Sequence, residues 1–175
     1  MTVKVAPREI TDYVERACRV AGCDSNDAAV LADAVTWGEV HGGGAVAAFA
    51  ALSDVVGLAE GLRGLDVVAL DVVDARVIGA DAAAVWHWEL SGDATLVRSA
   101  LARWSRNGVA GTWSDDQRSV TLRSARPQQQ SDVDRSTYRS ALAFGVDLDE
   151  ATWVALKAAA APFLAPEAIL DANIS

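Results

Sequence analysis

A chain of 175 residues, 51% hydrophobic and 22% charged, has the length and composition to bury one ordinary core, which excludes extended disorder. Its net charge of −9, from 24 acidic against 15 basic residues, is repelled by phosphate backbones and anionic membrane surfaces, so nucleic acid and membranes are poor partners. Without a basic-then-apolar leader, or any run near the ~20 apolar residues of a membrane helix, it reads as one acidic, cytoplasmic domain over residues 1–175.

Pro7 suits the first turn of a helix, and Ile10, Tyr13, Val14, Ala17 and Ala21 recur at helical spacing until Gly22 stops it. Asp24 and Ser25 offer caps to a second helix whose apolar face is Val30, Leu31, Ala34, Val35 and Gly38. His41-Gly42-Gly43-Gly44 ends it, because consecutive glycines cost too much backbone entropy inside a helix. A third helix carries Val46, Phe49, Leu52 and Val56 on one side.

After Gly57, Gly61 and Gly64 the texture changes to a Val- and Leu-rich run, Leu65–Val73, then Arg76–Ile78 and a Gly79 turn, opening the section expected to form a sheet. Val85-Trp86-His87-Trp88-Glu89-Leu90 alternates, as a strand with one wetter face does. Asp93 caps a helix bearing Leu96, Val97, Ala100, Leu101 and Trp104, which Gly108 stops. Val109–Trp113 and Arg118–Arg123 flank the turn Ser114-Asp115-Asp116-Gln117 as a hairpin. A polar loop covers about residues 125–134. Tyr138, Ala141 and Leu142 then lie on a helix that Gly145 ends, and Asp149 caps a last helix through Trp153, Leu156 and Ala160, terminated at Pro162. The predicted class is α+β: N-terminal helices, a small mostly antiparallel sheet with one embedded helix, and C-terminal helices.

The familiar catalytic motifs are absent: no GxSxG elbow, P-loop, HExxH or strand-borne GxGxxG occurs. Gly42–Gly44 follows a helix and lacks the Lys and Ser/Thr of a phosphate cradle, so it reads as an interhelical turn. Cys18 and Cys23 are too close in sequence for a structural disulfide and have no nearby histidines for zinc. Cys18 falls on a core face, whereas Cys23 lies just past the helix and is reactive if exposed.

Two histidine–carboxylate pairs remain as candidate catalysts. Glu39 and His41 flank the glycine turn and form a general-base pair if the backbone is irregular there; residues two apart on a regular helix diverge, leaving His41 as a cation at a helix end. His87 and Glu89 share one face of the predicted strand, with Trp86, Trp88 and Leu90 on the other. That strand is either a pocket wall carrying a base or a half-buried strand with a solvated polar face. Six tryptophans are many for this length. Trp86, Trp88, Trp104 and Trp113 fall in the middle section, where they line a ligand cavity, form an interface or build the core. Arg118, Arg123 and Arg126 read as a solvated strand face, and the residues imply neither a metal nor a cofactor.

The stretch Asp27–Glu39 resembles the N-terminal helical segment of the malate/L-lactate dehydrogenase type 2 family. That family places a catalytic histidine after this helix in a Ser-His-Gly motif. Here Ala45-Val46-Ala47 stands near the matching place, and His41-Gly42 is out of register, so the activity does not carry over. More broadly, the paired helices at the start resemble a bacterial family of small proteins of unknown function. So do the segment Gly145-Val146-Asp147-Leu148-Asp149, the stretch Trp153-Val154-Ala155-Leu156 and the later Pro166. That resemblance supports the fold and implies no mechanism. Only two lysines beside many Ala, Val, Asp, Gly and Arg also point to a GC-rich bacterial genome. The leading expectation is a small-molecule-binding or accessory protein of bacterial metabolism, acting as a homodimer or with a partner subunit. The alternatives are a cofactor-independent cyclase, isomerase or lyase using one His/Glu pair, and a pure protein-interaction subunit.

Overall fold

A computed structural model describes residues 1–77, 83–87, 94–114, 119–125 and 132–163, the side chains of 75–77, 85–87 and 132–133 excepted. The chain runs β1 (Thr2–Val5), α1 (Pro7–Ala21), α2 (Ser25–His41), α3 (Ala45–Ala50), α4 (Val55–Val77) and β2 (Ala83–His87). It continues through α5 (Ala94–Ser105), β3 (Val109–Ser114), β4 (Ser119–Ser124), α6 (Asp132–Phe144), β5 (Val146–Asp149) and α7 (Glu150–Ala160) to a short 3₁₀ turn, Ala161–Phe163. The expected α+β order holds, with helices at both ends and α5 embedded between strands of an antiparallel β2-β4-β3 sheet. No helix among the described residues is long and apolar enough to cross a membrane.

The helix boundaries follow from local chemistry. Pro7 opens α1, and Gly22 closes it in a left-handed conformation (φ 104°) that a side chain rarely adopts. Asp24 accepts from the amides of Asn26 and Asp27 at the start of α2, and Asp149 from that of Thr152 at the start of α7. These hydrogen bonds to the ionised form hold both carboxyls below the usual carboxylate range.

Two expectations are corrected. Leu65–Val73 does not open the sheet; it belongs to α4, which starts where Asp54 accepts from the Gly57 amide. Glycines inside a helix cost roughly 1 kcal/mol each. Leu58, Leu62, Leu65, Ala69 and Val72 recur at helical spacing and are buried, and full burial of a leucine contributes roughly 1.5–3 kcal/mol, so packing wins. The third helix also breaks at Leu52–Asp54, separating α3 from α4. The ribbon of β1 and β5, antiparallel with Val3 opposite Leu148, was not anticipated. The structure starts α6 at Asp132, near the end of the expected polar loop, whose residues 126–131 lie outside the described ones.

Helix α2 is the axis of the core. It packs against α1, α3, α4, α5 and α6, and its buried residues (among them Ala28, Leu31, Ala32, Ala34, Val35 and Val40) lie nearly all round it. Its buried Asp27 is paired with Arg63 of α4, so the charge is not left alone. Gly38 lets α5 approach: a methyl group there would run into Ser99 Oγ and crowd Ala45. On the sheet, Gly111 does the same for Leu101 and Leu122.

Candidate functional site

The residues that converge on an accessible cleft come from the C-terminal half of α2. Trp37 and His41 are four apart, hence on one helix face, and their rings stack at 4.3 Å with 15° between planes. His41 Nδ1 lies 2.9 Å from the Trp37 carbonyl oxygen, and its Nε2 lies 3.4 Å from a guanidinium nitrogen of Arg106. A carbonyl only accepts and a guanidinium only donates, which assigns the ring proton to Nδ1 and the lone pair to Nε2. Arg106 also lies over the Trp37 ring, 5.1 Å from its centre, and reaches Asp134 of α6 at 3.8 Å.

Two cavities meet at Trp37. The first, 370 Å³, lies among α1, α2 and α6 and is walled by Trp37, Tyr138 and Leu142, with Arg8, Asp12, Asp33 and Arg103 supplying charges of both signs. Thr11 and Thr36 join α1 to α2 across its floor through hydroxyls 2.9 Å apart. Arg103 is fixed by Asp66 at 2.8 and 2.9 Å and by Asp33 at 3.2 Å, and Asp66 also accepts from the indole N–H of Trp104. The second cavity, 310 Å³, lies between α2 and α5 and is walled by Trp37, His41, Gly42, Gly43, Thr95, Arg98 and Ser99. The Trp37 indole N–H is buried without an acceptor, a cost of about 1–3 kcal/mol that a position selected only for stability would avoid.

The expected residues distribute as follows. Glu39 and His41 are not brought together: both oxygens of the buried Glu39 carboxylate accept backbone amides, from Gly44 at 3.2 Å and Val46 at 2.8 Å. Glu39 thereby caps α3, whose own N-cap Gly44 has no side chain. The Gly42 and Gly43 amides bond back to carbonyls of α2, so the glycine turn holds no open amide cradle. His87 ends β2, but its side chain and that of Trp86 lie outside the described residues, as do Trp88 and Glu89 entirely. Trp104 is core, and Trp113 is half-buried beside a 430 Å³ groove between α5 and β3. Cys18 is buried as expected, but Cys23 is buried too, its thiol near the Val55 carbonyl. Burial pushes both thiols above their ordinary range, which makes them poor nucleophiles.

Sequence reasoning passed over Trp37 as a site residue. The available signal was its spacing of four from His41. Nothing in the sequence announced Arg106, which arrives from α5's end through the fold. Among the described residues no cluster of three or more His, Cys, Asp or Glu suits a metal ion. No family model, curated protein or solved structure matches this chain.

Proposed function

We propose that this chain is a small-molecule-binding accessory protein of bacterial metabolism, acting in the cytoplasm, with its site in the cleft of α1, α2 and α6. The observation that carries the proposal is the 370 Å³ cleft itself. Its size falls in the range of small-ligand sites, with an apolar wall of Trp37, Tyr138 and Leu142 and a few convergent charged groups. Because Arg8 and Arg103 line it together with Asp12 and Asp33, the ligand is one with an apolar body and charges of both signs, as in an amino-acid-like zwitterion. Of the two candidate catalytic pairs, Glu39 and His41 give no support to catalysis, because His41 has both ring nitrogens engaged and Glu39 both carboxylate oxygens.

Titration of the purified chain with a panel of amino acids, followed by tryptophan emission, tests the proposal. A saturable shift that disappears in Trp37→Phe is expected. No saturable shift with any member would overturn it. In the same proposal two copies associate, supported by Val67 and Leu70, each about half exposed on α4. Light scattering that returns the monomer mass removes that part.

A further inference from the structure

We infer that Cys18 and Cys23 form a reversible disulfide, which staples the end of α1 to the turn leading into α2 when the chain meets an oxidised small thiol. The chain has two cysteines, both free, and the fold sets them side by side although their spacing alone speaks against a bridge. The cause is the way α1 ends. Gly22 is left-handed, its amide turns back to the Arg19 carbonyl at 3.2 Å, and the Cys23 amide reaches the Cys18 carbonyl at 3.0 Å. This pair of bonds closes a helix so that the third residue inside its end faces the second residue beyond it, commonly in an apolar contact. Here two thiols make that contact. The Cys18 S–H donates to the Cys23 sulfur, which lies 4.0 Å from the Val55 carbonyl oxygen at the start of α4. Any small apolar pair would fill the place; two thiols add a bond that they can form with each other.

The two cysteines differ in a way that orders the chemistry. Cys18 is fully buried, whereas Cys23 keeps 4% exposure and sits between the exposed Gly22 and Asp24, where a small opening of the turn uncovers it. Burial holds the Cys23 thiol above its ordinary range, against the hydrogen bond from Cys18, which favours its thiolate. Cys23 is therefore the first to react, and it reacts slowly. Its thiolate attacks one sulfur of the oxidised small thiol, whose other half leaves as a thiolate. Cys18 then loses its proton to solvent and attacks the Cys23 sulfur, expelling the second half. Two protein thiols become one disulfide, and the small-molecule disulfide takes up the two electrons and two protons as two thiols. Excess small thiol runs the same steps backwards.

Neither cysteine lines the α1–α2–α6 cleft, so the inference stands apart from ligand binding there. The test is prolonged incubation of the full chain with oxidised glutathione in mildly alkaline buffer, followed by intact mass, peptide mapping and circular dichroism. The parent is expected to lose two hydrogens through a Cys18–Cys23 link, to keep its helical signal, and to regain the hydrogens with dithiothreitol. Because the second step is intramolecular, a glutathione adduct on the parent is expected to be about tenfold or more scarcer than on Cys18→Ala, where Cys23 has no thiol to resolve it. Cys23→Ala, left with the fully buried Cys18, is expected to form neither product. Both thiols staying free in the parent overturns the inference. So does an adduct that persists on the parent, or a link that forms only with loss of the helical signal. The parent's own mass and signal decide these outcomes, so the inference remains testable if Cys18→Ala fails to fold.

Discussion

Helices α2 and α6 form opposite walls of the same cleft, yet they are built on opposite principles. Helix α2 is buried nearly all round, and its last turn is fixed by Glu39, His41 and Arg106. Helix α6 buries only Ala141 among its described side chains and leaves Tyr138, Leu142 and Phe144 exposed. One wall is set by the core. The other buries a single described side chain, so it is expected to adjust at little cost when something fills the cleft.

The sharpest way to break this comparison is to delete an equal volume from each helix. Leu31→Ala in α2 is expected to cost about 3 kcal/mol in denaturant unfolding, whereas Leu142→Ala in α6 stays within about 0.5 kcal/mol. Similar losses would show that α6 belongs to the core after all. Next comes Glu39→Ala, which strips two amides of their acceptor and is expected to cost about 1–3 kcal/mol, without altering ligand affinity in the cleft. A third expectation concerns exchange: α6 amides exchange at least about tenfold faster than those of α2, and a cleft ligand slows α6 selectively.

The pH predictions are smaller and test the α1–α2 side. Burial raises the Cys18 and Cys23 thiols in the folded state, so stability falls as pH rises above their ordinary value of about 8.5. Urea midpoints measured from neutral to alkaline pH read that decline, and Cys18→Ala should flatten it. Asp24 and Asp149 act in the other direction. Their caps lower the folded-state values, so the stability they lend is present above the ordinary carboxylate range and lost as pH falls through the folded value. Asp24→Asn should blunt the acid limb slightly.

What the sequence disclosed was mostly local. Gly22, Asp24 and Asp149 act over three or four residues, and each marks the boundary it was expected to mark. The hairpin of β3 and β4 and the helix between strands were legible for the same reason. Helix α4 was misread because three glycines outweigh propensity only until tertiary burial is counted, and burial is not visible in a window. The candidate site was half legible. His41 drew attention by rarity, but it was paired with Glu39 at a spacing that a regular helix drives apart, while its true neighbour, Trp37, lay one turn back. Arg106 and Tyr138 reach the site through long-range packing that no spacing encodes.

The ribbon of β1 and β5 has a consequence for how the chain comes to be made. Lys4 pairs with Asp147 across 143 positions, and the Val5 backbone lies so close to Gly145 that a Cβ there would stand 3.1 Å from the Val5 carbonyl oxygen. During synthesis, β1 emerges well before β5, its strand partner among the described residues. By contact order its hydrogen bonds are expected to close after the local α1–α2 contact, and a nascent chain stalled before Gly145 keeps the edge of β1 without its β5 partner.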